Sequence, residues 1–517
     1  MPDYIIAHDV GTSRNKAVLV DGAGQIHGAC SESYPIRHPQ PDWAEQEPTD
    51  WWGAVTRSTR ALLERTGVAP RDVLCMTYAT QMLGIVPMDA RRGALRPAII
   101  WLDNRAGRQA SRVMRKFINA RVFALIAGAP LCGKDGIPKL LWLKEEEPQT
   151  YRNMHCFVDV AGYLIYCSTG NLVMELSGAS VIGLDLKRKK WLTGVMRYVG
   201  LDPAKFAPLV RSTDRVGALT REAAAECGLL EGTPIIAGAG DAPCAAVGSG
   251  AVADGDGHVY LGTSGWVGVV TSRTPRGRCG AATIHSADPG KVFFYAESET
   301  AGACLEWICN QLYRAERAHP QGRNIYALLD ARVAEVAPGS DGLIFTPWMF
   351  GERAPIADTN VRSSFLNLSA GHTREHMLRA VYEGVAYNMR WIVEIVDQQF
   401  GFPLPQLRAI GGGAKSDIWM QIMADVAGRR VETVRWPQEG GAVGAALVAA
   451  VGLGIYPDFG ALKQVVQVER VFQPQAENRE VYDSLYDLYR RSYRSLRGFY
   501  KQVSRARHAQ VGKEICR

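Results

Sequence analysis

The chain has 517 residues, 47% apolar and 21% charged, with a formal net charge of +7, a length that calls for two or more domains and an ordinary globular mixture. Acidic and basic residues are interspersed over most of it, which disfavours a nucleic-acid surface and suits small anionic ligands. No charged leader with a long apolar run opens the chain, no run of about 18 apolar residues suggests a membrane span, and eleven cysteines without Cys-x-x-Cys read as reduced, buried thiols of a cytoplasmic protein.

The first segment, Tyr4-Ile-Ile-Ala-His-Asp-Val-Gly-Thr-Ser followed by Lys16-Ala-Val-Leu-Val-Asp, predicts two strands joined by a tight glycine turn. A second turn, Asp21-Gly-Ala-Gly, leads to another strand. Helical spacing covers Asp50 to Thr66, and Val73 to Tyr78 reads as a strand. Such alternation builds α/β layers. The opening unit recurs about one domain length later as Val259-Tyr-Leu-Gly-Thr-Ser-Gly-Trp-Val, which suggests a duplicated domain. The expected boundary lies in the Gly- and Asp-rich run 248–257, giving domains 1–247 and 248–517. Helices are expected from His376 to Phe400, Asp417 to Ala427 and Gly440 to Val451. Near the C-terminus, Tyr482, Leu485, Tyr486, Tyr489, Tyr493, Leu496 and Tyr500 share one helical stripe, a docking face. The basic stretch from Arg490 to Arg517 reads as a solvated tail.

Three turns carry candidate chemistry. In Asp9-Val-Gly-Thr-Ser, Gly11 lets backbone approach a phosphate, while Thr12 and Ser13 offer hydroxyls and amides. Asp9 could hold Mg2+ through water; the alternative is an ordinary hairpin with an Asp-capped turn. In Ala237-Gly-Ala-Gly-Asp241, small residues leave a carboxylate free to take a proton from a hydroxyl, or to cap a helix. In Ala409-Ile-Gly-Gly-Gly-Ala-Lys-Ser, three glycines after a strand allow a ring or phosphate onto bare backbone, or mark a crowded turn. The small-residue run Gln438 to Ala446 lets another segment pack close. His372-Thr-Arg-Glu-His376 spells a zinc-peptidase pattern but sits where a helix starts, with Thr373 as its N-cap. P-loop and Gly-x-Gly-x-x-Gly motifs are absent from the sequence.

The order of these motifs, with Pro41-Asp-Trp-Ala-Glu-Gln-Glu-Pro-Thr-Asp-Trp-Trp, Trp101-Leu-Asp-Asn-Arg, Pro138-Lys-Leu-Leu-Trp-Leu and Pro347-Trp-Met-Phe-Gly-Glu-Arg-Ala-Pro, resembles the FGGY family of carbohydrate kinases over roughly residues 4 to 460, and its xylulokinase branch most. The resemblance implies two actin-like (ribonuclease-H-like) α/β domains with a cleft between them, and the cofactors ATP and Mg2+. It implies Asp241 as catalytic base and Asp9 with Asp241 around the metal. Gly11, Thr12, Ser13, Gly262 and Thr263 would surround the phosphates, and Gly412, Gly413 and Ser416 the nucleotide's other end. Met82, Leu83, Trp101, Asp103, Arg105 and Asp241 would line the sugar.

The implied activity is phosphorylation of a pentulose such as D-xylulose. Ribulose, a tetritol, autoinducer-2 and glycerol stay open as acceptors, as do an actin-like ATPase and a catalytically silent sugar sensor. The expected partners are sugar and ATP, without nucleic acid or membrane, and a homodimer remains an open option. Two departures stand out: Leu83 occupies the place of a sugar-contacting His, and Asn367 that of a turn glycine.

Overall fold

The computed structural model describes residues 3–91, 93–117, 131–277, 280–318 and 324–515, with side chains as far as Ala506. The predicted opening hairpin is strand β1 (Tyr4–Val10) and strand β2 (Arg14–Asp21), paired antiparallel and followed by β3 (Ile26–Ser33). Helix α1 (Pro48–Thr66) starts at a proline, whose missing amide costs nothing in a first turn, and stops at Gly67 in the left-handed region (φ 69°). Then come β4 (Val73–Thr80), β5 (Arg215–Ala218) and β6 (Pro234–Gly240). These six strands form one sheet in the order β5-β6-β4-β1-β2-β3.

Helix α2 (Asp241–Gly248) leads into the second sheet: β7 (Gly257–Leu261), β8 (Gly265–Thr271), β9 (Ala281–His285), β10 (Val292–Ser298), β11 (Gln406–Ile410), β12 (Arg430–Val434) and β13 (Val468–Phe472). Its order is β9-β10-β8-β7-β11-β12-β13. In both sheets an antiparallel three-strand meander is followed by two parallel strands and one antiparallel edge. The duplicated Gly-Thr-Ser unit is thus the first hairpin of two like sheets, with β9 an addition to the second.

Three C-terminal-half helices follow the predicted pattern: α3 (Arg374–Glu394), α4 (Asp417–Ala427) and α5 (Gly440–Gly452). Helix α3 begins at Arg374 because Thr373 caps it, and His376 Nδ1 completes the cap by accepting the Thr373 amide. Asn367 adopts φ 66°, so asparagine meets the left-handed requirement that glycine ordinarily fills. The basic tail is helical: α6 (Arg479–Ile515) buries Tyr482, Tyr486 and Tyr489 on the second core, Arg490 pairs with Glu394 at 3.2 Å, and from there to Ala506 most side chains are exposed, as a solvated tail requires. The last two residues of the tail lie outside the described residues.

Helices α2 and α5 exchange sheets. Helix α2 follows the first sheet but packs Ala242, Ala245 and Ala246 on Trp266, Phe293 and Ile410 of the second half. Helix α5 follows the second sheet but buries Ala442, Ala446 and Val448 against Ile5, Ala7 and Val18 of the first. The two helices cross closely because glycine stands at each contact. A Cβ on Gly248 would lie 1.9 Å from the Gly440 carbonyl oxygen, and one on Gly444 would lie 1.8 Å from that of Cys244. The N-terminus of α5 meets Asp9 of the first sheet, and that of α2 lies close enough to Asp9 for the Asp9 charge to act on Asp241.

Candidate active site

Asp9 lies near the end of β1, and the turn beyond it is pinned from behind. The Gly11 carbonyl accepts Tyr34 OH (2.6 Å), the Thr12 carbonyl accepts Gln46 Nε2 (2.7 Å), and the Ser13 carbonyl accepts the Tyr34 amide (3.1 Å). The second hairpin uses the same device. Gly262 and Thr263 give their carbonyls to the amides of Gly302 (2.8 Å) and Ala301 (2.9 Å) at a helix start. Both turns are braced from behind by these bonds, the kind of pre-organisation that anion binding to backbone requires.

Lys16, on β2, stands 3.5 Å from Asp9 Oδ2 and donates to the Gln438 carbonyl of the second half (3.4 Å), a role the sequence did not indicate. The Asp9 charge is the main cause that raises its pKa, so it stays a cation. Gly441, at the start of α5, faces Asp9 so closely that a Cβ there would lie 2.8 Å from Oδ2. Asp9 is therefore flanked by an ammonium and a helix N-terminus.

Asp241 opens α2, and its carboxylate accepts the neighbouring Ala242 amide (2.8 Å). Met82 packs on the preceding residue: a Cβ on Gly240 would meet its sulfur at 2.5 Å. Burial pushes the Asp241 pKa from 3.8 up to about 7, with the charges of Asp9 and Glu297 adding to the rise. A carboxylate poised there can accept a proton near neutral pH. Its strand–helix junction is tied down by Ser177, whose hydroxyl accepts the Gly240 amide (2.8 Å).

Trp101 joins the two halves of the predicted site, its indole donating to Thr12 Oγ1 at 2.9 Å. Leu83 adopts φ 62° and is held there by Lys139, a fully buried lysine that donates to the carbonyls of Leu83 (3.1 Å) and Ile100 (2.8 Å). Burial lowers the Lys139 pKa to about 7.

Asp103 and Arg105 depart from the sequence expectation of sugar contacts. Both side chains are wholly buried, Arg105 gripping both Asp103 oxygens (2.9 Å from Nε) and Glu45 (2.7 Å) while lying 3.6 Å over the Trp43 ring. They hold the Trp101 loop through this ion-pair cluster.

On the nucleotide side, Gly412 presents bare backbone to open space, whereas Gly413 turns inward against Leu261 and Trp419. Ser416 is likewise a correction: its oxygen caps α4 through the Trp419 amide (3.1 Å) and its proton goes to Asp330 (2.8 Å). For Mg2+, Asp9 and Asp241 offer hard carboxylate oxygens within electrostatic reach of each other. That set fits an ion that keeps several waters and takes one or two carboxylates. Among the described residues no group of three or more metal-ligating side chains forms a cage.

Models of the N- and C-terminal domains of the FGGY family of carbohydrate kinases match residues 4–248 and 257–453. The chain belongs to the FGGY family of carbohydrate kinases. This kinase is 32% identical to the xylulose kinase of Bacillus subtilis over 495 residues, covering 95% of the chain and 96% of that relative. It is 26% identical to the gluconokinase of the same strain over 517 residues, with 98% of each covered. It superposes on the solved xylulose kinase from Rhodospirillum rubrum with a TM-score of 0.83 at 28% identity, covering 96% of this chain and all of that one. The two-sheet architecture is the actin-like ATPase fold of sugar kinases. No helix among the described residues is long and apolar enough to cross a membrane.

Proposed function

We propose that this kinase transfers the terminal phosphate of ATP to a hydroxyl of D-xylulose, giving D-xylulose 5-phosphate and ADP. The observation that carries the reading is the position of Asp241, at a helix start in the cleft, with a pKa of about 7 and Asp9 and Met82 beside it. The xylulose kinases among its relatives support the choice of sugar.

Asp241 orients the acceptor hydroxyl and takes its proton as the bond to phosphorus forms. Phosphoryl transfer passes through a loose transition state, so alignment and charge stabilisation do most of the work. Thr12 and Ser13 from one turn and Gly262 and Thr263 from the other would meet the phosphates. Lys16 contributes a fixed positive charge beside Asp9. Bound Mg2+, held by Asp9 and Asp241 partly through water, would supply further neutralisation of phosphate charge. Closure of the two halves limits access of water to the phosphate.

A coupled ADP-release screen over pentuloses, hexuloses, tetritols, D-gluconate and glycerol tests the reading. The expected result is sugar-dependent ADP release, highest with D-xylulose. Release that is indifferent to every sugar would refute it.

A further inference from the structure

The second domain places a charged wall beside the catalytic carboxylate. Glu297 pairs in register with Trp266, and Trp266 with Tyr260, so one row of side chains crosses β10, β8 and β7. Trp266 and Tyr260 stack at 3.8 Å and 8°. Trp266 and Tyr295 pack with Met82 and the first residues of α2, which puts this face of the sheet against the helix that Asp241 opens. Glu297 is close enough for its charge to act on Asp241.

Arg353 donates to Glu297 at 2.5 Å and to Glu299 at 3.1 Å. Glu299 in turn faces Lys134 of the first domain at 4.0 Å, and the Lys134 ammonium lies 5.8 Å from the Trp101 ring centroid. A belt of alternating charge thus runs from Trp101 across the cleft to Glu297. All four charged side chains keep 16–33% of their surface exposed, so a ligand in the cleft can reach them.

We propose that Glu297, braced by Arg353, is a specificity-determining residue that accepts hydrogen bonds from acceptor hydroxyls remote from the transferred phosphate and excludes acceptors bearing a carboxylate. The inference rests on the ketose-kinase reading above and deepens it. A carboxylate is a strong acceptor for sugar hydroxyls. An aldonate would set its own negative charge beside Asp241 and Glu297, while Arg353 is already engaged by two carboxylates. Rejection by like charge adds to selection by hydrogen bonding. The point matters for a chain whose relatives include both a xylulose kinase and a gluconokinase.

The test is kcat/KM for D-xylulose and D-gluconate, with saturating ATP and the full chain, for wild type and Glu297→Gln. Glutamine keeps the size and can still accept from Arg353. The expected loss with D-xylulose is about ten- to a hundredfold, the range for a hydrogen bond to a charged group. Turnover of D-gluconate holds or rises, the KM for ATP is unchanged, and the rise in melting temperature caused by D-xylulose alone shrinks in step. An equal fall for both acceptors, or no change for either, overturns the proposal. If the glutamine variant does not fold, Glu297→Asp serves: it should weaken D-xylulose while still excluding D-gluconate, and unaltered D-xylulose kinetics would overturn the assignment. A wild-type enzyme that uses no ketose refutes the reading beneath; one that uses ketoses with unchanged kinetics in both variants refutes only this step.

Discussion

Replacing Asp241 by Asn should weaken the enzyme and strengthen the fold, and the second effect should depend on pH in a defined direction. The folded chain releases the Asp241 proton near pH 7, the unfolded chain near pH 3.8. Between those values the unfolded state is the more ionised, so the carboxylate costs stability progressively as pH rises and the full cost is present above pH 7. At 1.36 kcal/mol per pH unit that separation corresponds to at most about 4 kcal/mol. Asparagine has the same shape and no charge, so it removes the penalty. For a domain of this size each kcal/mol moves the melting temperature by about 2–4 °C.

The nucleotide-free variant should therefore melt several degrees above wild type at pH 8 and close to it at pH 4. Turnover should fall by about a hundredfold or more, the range for loss of a positioned base. Calorimetry at the two pH values, with ADP release on the same samples, checks both parts. A variant that melts with wild type at pH 8, or that turns over within threefold of it, refutes the assignment of Asp241 as a desolvated base.

In wild type, kcat/KM for the sugar should fall as pH drops below about 7, because only the ionised carboxylate accepts the proton, and a higher Mg2+ concentration should move that fall to lower pH; a rate that rises toward pH 5 would contradict this. Gly441→Ala would set a methyl 2.8 Å from Asp9 Oδ2; the forced shift of that carboxylate should cut kcat by about tenfold to a hundredfold, with the larger effect at low Mg2+, measured by magnesium titration. Lys139→Met removes two hydrogen bonds that hold the carbonyls of Leu83 and Ile100; the KM for sugar should rise about tenfold while that for ATP stays put, and parallel changes in both would assign Lys139 to general stability. Leu83→His puts a ring donor where φ is 62°, a region histidine tolerates; kcat/KM for D-xylulose should rise about three- to tenfold, and a fall would show that the leucine matches the true acceptor.

Much of the fold was legible because its signals are local. The β1–β2 and β7–β8 hairpins, α4 and the tyrosine stripe of α6 each follow from turn chemistry or periodicity within a short stretch of chain. The placement of Asp241 at a strand–helix junction was legible for the same reason: an apolar strand, a small-residue turn and a carboxylate stand in consecutive positions. The errors share one cause. Asp103, Arg105 and Ser416 are polar residues in motif positions, and a polar residue aimed at a ligand reads the same as one consumed by an internal ion pair or a helix cap. Lys139 lies in the run Pro138-Lys-Leu-Leu-Trp-Leu, and a lysine in an apolar run gives no sign of being fully buried.

By itself, then, the sequence determined the elements and the repeat of a strand–turn–strand unit, because each depends on neighbours within a few residues. Only the tertiary structure decided which side chains come together. The exchange of α2 and α5 between sheets rests on glycine contacts between residues far apart in the chain, Gly248 with Gly440 and Gly444 with Cys244. The same long-range packing brings Glu297 and Arg353 to Asp241, and Lys134 to Glu299. Charge and burial at such points are set by what the fold carries in from elsewhere, and no local pattern encodes them.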